Sequence, residues 1–313
     1  MWRMTQMPSP DAPLNIGTRG SPLALAQAFE TRGRLAAAMG LTEDCFAVVP
    51  IKTTGDRVQD RALRDLGGKG LFTKEIEDAL LDGSIDIAVH SMKDMPVEQP
   101  EGLILDTWLP REDVRDAFVA QGVGRIADLP QGAVVGTSSL RRRAQLLARR
   151  PDLQVVEFRG NLQTRMRKLS EGVAQATFLA MAGLNRLDMQ VGQSPIAPED
   201  MLPAVAQGAI GIERRCDDPR VEGMLAAIRH VPTAECIRAE RAFLATLDGS
   251  CQTPIAGLAL HDADGLWVRG EILRPDGSVV LTGERRGPVA DGPAMGIDLA
   301  RDLLGRAGHG FFG

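Results

Sequence analysis

The sequence contains little cysteine or histidine, four residues of each among 313. The cysteines lie at positions 45, 216, 236 and 251, without a CxxC pair or a ligand-like spacing to the histidines. This distribution argues against a structural zinc site, so we expect no bound metal. A lone cysteine in a reducing compartment is usually a small buried hydrophobe, and we expect this of Cys45, Cys216 and Cys236.

Long apolar runs are also missing. No segment approaches the roughly 20 uncharged apolar residues that a membrane helix needs. Residues 1–13 lack the apolar middle region of a secretory signal. We therefore expect these residues to be disordered, and the protein to be cytoplasmic with no membrane partner.

Negative charge is in slight excess, but positive charge is concentrated in one segment. The net charge of −5 argues against a nucleic-acid partner. Residues 136–168 alone carry eight arginines and one lysine against Asp152 and Glu157, a local charge of +7 that leaves −12 for the rest. A cationic segment in an acidic protein predicts a localised site for anions.

Strand-like and helix-like segments alternate through the first two thirds of the chain. The expected strands lie at residues 15–18, 46–52, 85–90, 133–136, 153–158 and 176–182, and the expected helices at residues 22–39, 72–81, 139–149 and 162–169. This alternation is typical of βαβ units with a largely parallel sheet, and its restart near residue 133 indicates two α/β lobes. Residues 233–246 then predict a helix, residues 266–286 a hairpin with a PDG turn, and residues 295–306 a closing helix, which together form a small α+β domain.

Polar residues follow the strand expected at 133–136, in the sequence GTSSLRRRAQ (residues 136–145). Hydroxyls and free backbone N–H groups at the start of a helix suit an anion. The arginines at 141–143 lie about 100° apart around a helix, so at most two can face one ligand. The alternative is a capped helix with a solvated basic face.

A second basic motif is FRGNLQTRMRKL (residues 158–169). Arg159 lies at a strand end, Asn161 is a candidate cap for the following helix, and Arg165 and Lys168 share a face of it. Together with Arg19, these groups are enough to hold a ligand with several carboxylates and too many for one phosphate.

Three further loops carry candidate functional groups. Asp94 follows a buried strand in HSMKDMP; near arginines it would stay ionised and could stabilise a cation or exchange protons, or it could be a turn residue that bonds its own backbone. The loop GGKG with Lys69 is not a P-loop, and is either a lid or a turn. Cys251 lies in a loop of small residues that leaves the sulfur accessible, but no Cys–His–Asn set identifies a use for this thiol.

Taken together, these segments resemble the porphobilinogen deaminase family over nearly the whole chain. The motifs that carry the resemblance are IGTRGSPLALAQ (16–27), KTTGD (52–56), GGKGLFTKE (67–75), DIAVHSMKDMP (86–96), REDVRDAF (111–118), VGTSSLRRRAQL (135–146), RGNLQTR (159–165), LPAVAQGAIGIE (202–213) and ERAFLATLDGSCQTPIAG (240–257).

The resemblance implies an α/β fold with two type II periplasmic-binding-protein-like lobes around a central cleft, plus a small α+β C-terminal domain. Domain 1 would comprise residues 1–109 and 209–228, domain 2 residues 110–208, and domain 3 residues 229–313. The implied enzyme is a transferase, a hydroxymethylbilane synthase of tetrapyrrole, porphyrin and heme biosynthesis that acts as a monomer. It deaminates four porphobilinogen molecules, condenses them head to tail on a covalent dipyrromethane cofactor, one per chain, and releases the linear tetrapyrrole by hydrolysis.

The resemblance also assigns roles to residues. Cys251 would bear the cofactor through a thioether, and Asp94 would be the catalytic carboxylate. The implied cofactor contacts are Lys93, Asp94, Thr137, Ser138, Ser139, Arg141, Arg142, Arg159 and Asn161. The implied substrate contacts are Arg19, Ser21, Lys69, Arg159 and Arg165. Two alternatives stay open: a two-lobed protein that binds a small anion without catalysis, and a phosphate-ligand enzyme that uses Lys69 and residues 137–139.

Overall fold

A computed structural model describes residues 7–57, 73–249, 253–308 and 310–312. The strands are β1 (Leu14–Arg19), β2 (Phe46–Ile51), β3 (Ile87–Ser91), β4 (Leu103–Trp108), β5 (Asp116–Ala120), β6 (Val134–Gly136), β7 (Gln154–Val156), β8 (Ala176–Ala180), β9 (Ser194–Pro195), β10 (Ile210–Arg215), β11 (Ile255–Asp262), β12 (Gly265–Leu273) and β13 (Val280–Gly287). The helices are α1 (Pro22–Met39), α2 (Thr54–Arg57), α3 (Lys74–Leu81), α4 (Leu140–Arg149), α5 (Leu162–Ser170), α6 (Met181–Arg186), α7 (Pro219–Ala226), α8 (Val231–Thr246) and α9 (Gly292–Ala307).

The first compact unit comprises Met1–Arg111 and Ala209–Ala234. Its sheet has the strand order β2-β1-β3-β10-β4. β1 is parallel to β2 and β3, whereas β10 is antiparallel to both β3 and β4. The sheet is therefore mixed rather than largely parallel, because β10 enters it from a distant part of the chain and not through a βαβ crossover.

The second compact unit comprises Glu112–Gly208 and Glu235–Gly313, and contains two sheets. The first sheet has the order β7-β6-β8-β5-β9, with β6 parallel to β7 and β8 and with β5 antiparallel to its neighbours. The second is the antiparallel sheet β11-β12-β13, which includes the expected hairpin. α9 packs on this sheet through Leu299 and Leu303, which are fully buried.

Two sheet-containing lobes and a small C-terminal domain of sheet and helix confirm the expected fold class. Within the described ranges, no helix is long and apolar enough to cross a membrane.

Helix α1 shows how local sequence determines these elements. The Ser21 side chain accepts a hydrogen bond from the Ala24 N–H, Pro22 occupies the first turn, and Gly40 ends the helix in the left-handed conformation, with φ of 65°. The helix buries Ala28 and Leu35 in the core beneath β1 and β3. Its predicted bounds, residues 22–39, are confirmed.

The burial of the cysteines was predicted only in part. Cys45 and Cys236 are buried, but the prediction for Cys216 is wrong, since this thiol is exposed. Cys216 directly follows β10, where the chain leaves the sheet and turns into α7. Its side chain therefore has no core to enter.

Candidate active site

A recess of about 70 Å³ lies beyond the carboxyl ends of β1 and β3. These strands are parallel neighbours, so the residues that follow them meet at one edge of the sheet, the usual ligand position in such sheets. Arg19, Ser21 and Asp94 all line the recess. The structure thus brings together three of the predicted site residues that are distant in sequence.

Asp94 ends a single 3-10 turn, Met92–Asp94, that follows β3. The apolar side chains on either side, Met92 and Met95, are buried and anchor the turn, while Asp94 is exposed and Lys93 is half-buried. Among the residues that the structure describes, no donor is bonded to the Asp94 carboxylate, so it is not a turn residue bonded to its own backbone. Its oxygens are available to a ligand.

Sequence analysis missed Gln27 as a site residue. Gln27 lines the recess, is only 3% exposed, and exchanges hydrogen bonds with the Ser91 hydroxyl at 2.8 and 3.0 Å. Thr18, buried beside it, lies within hydrogen-bond distance of the carbonyl oxygens of Ala24 and Val89. The sequence feature that could have identified Gln27 is its position as a polar residue on the buried face of α1, two turns after the Ser21 cap.

The second unit holds the predicted anion site at the start of α4. Ser139 caps the helix by accepting from the Arg142 N–H, Thr137 accepts from the Ser139 N–H, and Ser138 accepts from the Phe158 N–H at 2.9 Å. A hydroxyl that accepts a backbone N–H can still donate its own O–H. The hydroxyls of residues 137–139 therefore accept backbone N–H groups at the start of α4 and can also donate hydrogen bonds to a ligand.

Arg141 and Arg142, predicted as ligand contacts, are only 5% and 4% exposed and share the carboxylate of Asp116. Arg141 Nη1 donates to Asp116 Oδ2 at 2.7 Å, and Arg142 Nη2 donates to Asp116 Oδ1 at 2.7 Å. Gln207 Nε2 donates to the same carboxylate at 3.0 Å. Arg143, by contrast, is exposed, as the 100° spacing around the helix predicts.

Asp116 itself was not predicted, although it begins the apolar strand DAFVA. Burial opposes ionisation of this carboxyl, but the guanidinium groups of Arg141 and Arg142 outweigh burial and hold its pKa well below the usual range. One carboxylate against two guanidinium groups leaves a net positive charge on these three side chains, and burial raises the pKa of Glu271, a further buried carboxyl near Arg149 and Arg141. Such a charge is compatible with a ligand carboxylate nearby.

The segment from Arg159 to α5 supplies further donors. Asn161 caps α5 by accepting from the Thr164 N–H at 2.9 Å, which confirms the predicted cap. Arg165 Nε donates to the Gly160 carbonyl, and Lys168 Nζ donates to the Arg159 carbonyl, so both helix side chains reach back to the preceding loop. Within the described part of the chain, Arg159 Nη1 is buried and has no hydrogen-bond partner.

These donors suit an anionic ligand with more than one carboxylate. The cap hydroxyls, the net positive Asp116 cluster and the orphaned Arg159 Nη1 lie in one unit, and no carboxylate among the described residues forms an ion pair with Arg159. An orphaned buried guanidinium N–H is costly unless a ligand acceptor meets it. The residues present therefore fit a cofactor that bears carboxylate side chains.

Two predicted site residues, Lys69 and Cys251, lie outside the described residues. The chain on either side of residues 250–252 is closely packed. A Cβ built on Gly249 would lie 2.4 Å from Ile255 Cδ1 and 2.6 Å from Leu244 Cδ1, so a larger residue here would require these side-chain ends on α8 and β11 to shift. The Pro254 carbonyl accepts from the Leu273 N–H on β12 at 3.0 Å.

Comparisons with known proteins found matches over nearly the whole chain. Residues 14–223 match the family model described as porphobilinogen deaminase, dipyromethane cofactor binding domain, and residues 234–305 match that of the porphobilinogen deaminase C-terminal domain. The chain is 68% identical to the porphobilinogen deaminase of Paracoccus denitrificans over 310 residues, 99% of both chains. It is 55% identical to the chloroplastic porphobilinogen deaminase of Pisum sativum over 306 residues, 96% of this chain and 83% of the relative.

Solved structures similar to the chain include bacterial binding proteins. One is the periplasmic substrate-binding protein of an ABC transporter from Coxiella burnetii, at a TM-score of 0.43 and 14% identity over 71% of this chain and 93% of that one. Another is the periplasmic aliphatic sulphonate binding protein of Escherichia coli, at a TM-score of 0.41 and 14% identity over 75% of this chain and 70% of that one.

Proposed function

The chain belongs to the porphobilinogen deaminase family, and from this premise we propose how its own residues carry out the family's reaction. The protein is a hydroxymethylbilane synthase, a transferase that condenses four porphobilinogen molecules on a dipyrromethane cofactor in tetrapyrrole and porphyrin biosynthesis. The alternative of an anion-binding protein without catalysis is rejected, because the family match covers the C-terminal domain as well as the lobes.

We propose that Cys251 anchors the cofactor and that the donors of the second unit hold its carboxylates. When bound, the dipyrromethane supplies the pyrrole end to which the substrate rings are added. Thr137, Ser138, Ser139 and Arg159 would donate hydrogen bonds to its acidic side chains. Arg141 and Arg142 would act through the net positive charge that they retain around Asp116. The close packing of Gly249 against Ile255 supports this role for Cys251, because it holds the described residue that precedes residues 250–252 against β11.

Asp94 would stabilise the positive charge that develops on a pyrrole nitrogen when the substrate loses ammonia. A carboxylate fixed before the reaction stabilises such a charge without reorganising, and it can also take up a proton. The observation that carries this role is the exposed Asp94 carboxylate at the edge of the recess, with no bonded donor among the described residues.

Polar and basic residues other than Asp94 would position the substrate. Arg19 and Ser21 line the recess with Asp94, so they would hold the acidic side chains of a ring whose nitrogen meets Asp94. Arg165 and Lys69 would contact the incoming substrate in the same way. Holding two rings in a reactive geometry removes much of the entropic barrier to their condensation.

We further propose that the enzyme is a cytoplasmic monomer with domain breaks after residues 109, 208 and 228. Among the described residues, Cys45, Cys216 and Cys236 form no disulfide, which suits a reducing compartment. Sedimentation at micromolar concentration tests the monomer.

The intact mass of the purified protein tests the anchor and the reaction together. We expect an increment that matches one dipyrromethane, and further increments of one ring each when porphobilinogen is added. Cys251→Ala should abolish every increment, whereas Cys216→Ala, which removes an exposed thiol, should leave them unchanged. An unmodified mass on active protein would show that the anchor is wrong, and a loaded Cys251→Ala protein would show the same.

A further inference from the structure

Behind the recess lies a group of buried ionisable residues that the proposed mechanism does not use. His90 on β3 is 6% exposed, Glu213 on β10 is fully buried, and Glu77 on α3 is 8% exposed. His90 Nε2 and Glu213 Oε2 are 3.1 Å apart, a hydrogen-bonded pair. The other oxygen of Glu213 is buried without a partner among the described residues.

This buried group reaches the recess by two routes. His90 lines the recess and lies four residues before Asp94 on the same strand and turn. Thr73 also lines it, and the Thr73 carbonyl accepts from the Glu77 N–H at 2.8 Å. His90, in the wall of the recess, thus contacts Glu213. Thr73, also in the wall, immediately precedes α3, the helix that carries Glu77.

The charges of the group do not balance if both carboxyls are ionised. Neither Glu77 nor Glu213 is paired with a lysine or arginine within the described residues, and His90 is their only cationic partner. Burial raises the pKa of Glu77 and outweighs the hydrogen bond of Thr73, which lowers it; the nearby Glu213 raises this pKa further, whereas His90 lowers it. Two buried carboxylates with at most one cationic partner carry an excess of negative charge, and this excess favours the uptake of a proton by the group.

Each addition requires a proton to leave the recess. The C–N bond of the aminomethyl group breaks with its electron pair on nitrogen, and a C–C bond forms between the methylene carbon and the α-carbon of the chain end. That α-carbon then releases its proton. For a substrate that arrives as an ammonium ion, ammonia and this proton together account for one ammonium per addition. Asp94, once protonated, must lose the proton before the next addition.

We propose that His90 and Glu213, with Glu77, form a buried proton acceptor that takes the α-carbon proton from Asp94 between additions. This inference rests on the proposed role of Asp94. His90 is the residue of the group that lines the recess, and the carboxylate of Glu213 stabilises the imidazolium as His90 takes up the proton. Glu77 provides the second carboxyl over which the proton is shared.

Glu213→Gln tests the proposal, because it keeps the size of the side chain and a hydrogen bond to His90 but removes the basic carboxylate. We expect its intact mass to show a loaded cofactor, while the rate of each ring addition falls by about a hundredfold or more, the lower end of the range for acid–base groups. Added imidazole should restore the rate of Glu213→Gln in proportion to its concentration and leave the wild-type rate unchanged. A purely structural role would not give this rescue.

Infrared spectroscopy provides a readout that does not depend on turnover. The carbonyl stretch of a buried protonated carboxyl should be present in the wild-type protein at neutral pH and lost in Glu77→Gln. Absence of this band in the wild-type protein would overturn the proposal.

Asp106→Asn is the matched control. It removes a carboxylate paired at 3.0 Å with Arg214, the neighbour of Glu213 on β10, at a position that does not line the recess. We expect wild-type rates without an imidazole effect. If Glu213→Gln adds rings at the wild-type rate while Asp94→Asn is inactive, the proposal of a buried proton acceptor is wrong but the proposed role of Asp94 is kept. If Asp94→Asn is fully active, the proposed function of Asp94 is itself wrong.

Discussion

Asp94 and Asp116 show how burial decides what a carboxylate can do. Asp94 is exposed at a recess and has no bonded donor among the described residues, so its oxygens can meet a ligand. Asp116 is fully buried, and two arginines and Gln207 donate hydrogen bonds to its carboxylate. Asp94 is therefore suited to act on a ligand, whereas Asp116 holds neighbouring side chains in place.

Asp94→Asn is expected to lower turnover by orders of magnitude without unfolding the protein, because the amide removes the negative charge that stabilises the developing cation. Single-turnover ring addition, followed by intact mass, measures the loss, and urea unfolding provides the control for folding. Full activity in this variant would remove Asp94 from the mechanism.

Asp116→Asn is expected to destabilise the protein by about 3–5 kcal/mol at neutral pH, since it leaves two buried guanidinium groups without their counter-charge. The pKa of Asp116 is lower in the folded state than its unfolded value of 3.8, so its contribution is present above that pH and is lost as the pH falls further. The difference between wild type and variant should therefore shrink below this pH.

Urea unfolding between pH 7 and pH 3 measures this difference. Asp128→Asn is the control, because Asp128 pairs with Arg125 on the surface and its loss should change stability little. Equal stability of Asp116→Asn and wild type at neutral pH would contradict the prediction.

At the scale of single residues, the sequence indicated the chemistry of the candidate site residues better than it indicated their hydrogen-bond partners. The concentration of arginine at residues 136–168 predicts anion-binding chemistry. Nothing in it showed that Arg141 and Arg142 are buried on Asp116, because that pairing joins positions 25 and 26 residues apart through tertiary packing. Gln27 was missed for the same reason, since its partner Ser91 lies 64 residues away.

Among the elements, α5 begins with the Asn161 cap, and the same residue is a predicted cofactor contact. Asn161→Ala should destabilise the protein by about 1 kcal/mol through loss of the cap, whereas Asn161→Asp should keep it, because aspartate is an equally good cap. Asp should instead place a negative charge among the donors near Arg159 and reduce the fraction of chains that carry the cofactor. Urea unfolding and intact mass measure the two effects separately. If Asn161→Asp proves as unstable as Asn161→Ala, Asn161 does not act as a cap in solution.

Helices with local signals were predicted well, and strands without them were not. Residues 22–39 have a serine cap, a proline in the first turn and a terminal glycine, and the helix has those bounds. Pattern analysis did not predict β4, β5 or β10. β10 pairs with β3 and β4 through partners more than 100 residues away, and no local periodicity encodes that register.

At the scale of the whole molecule, the two compact units have separate cores, so we expect unfolding in more than one step. Trp108 is buried in the first unit, and Trp267 lies on β12 in the second. In a background with Trp2→Phe, variants that retain only Trp108 or only Trp267 should give urea transitions with different midpoints by fluorescence. Coincident midpoints would mean that the units unfold as one.

The position of β10 between β3 and β4 has a consequence for the newly made chain. Ribosomes release residues in order, so all strands of the sheet β7-β6-β8-β5-β9 have emerged once residue 195 has left the exit tunnel. The sheet of the first unit begins earlier in the sequence but lacks its fourth strand until residue 215 has emerged. During translation, β4 therefore waits without its hydrogen-bonding partner while more than 100 further residues are added. The part of the protein that is synthesised first completes its sheet after the lobe inserted within it.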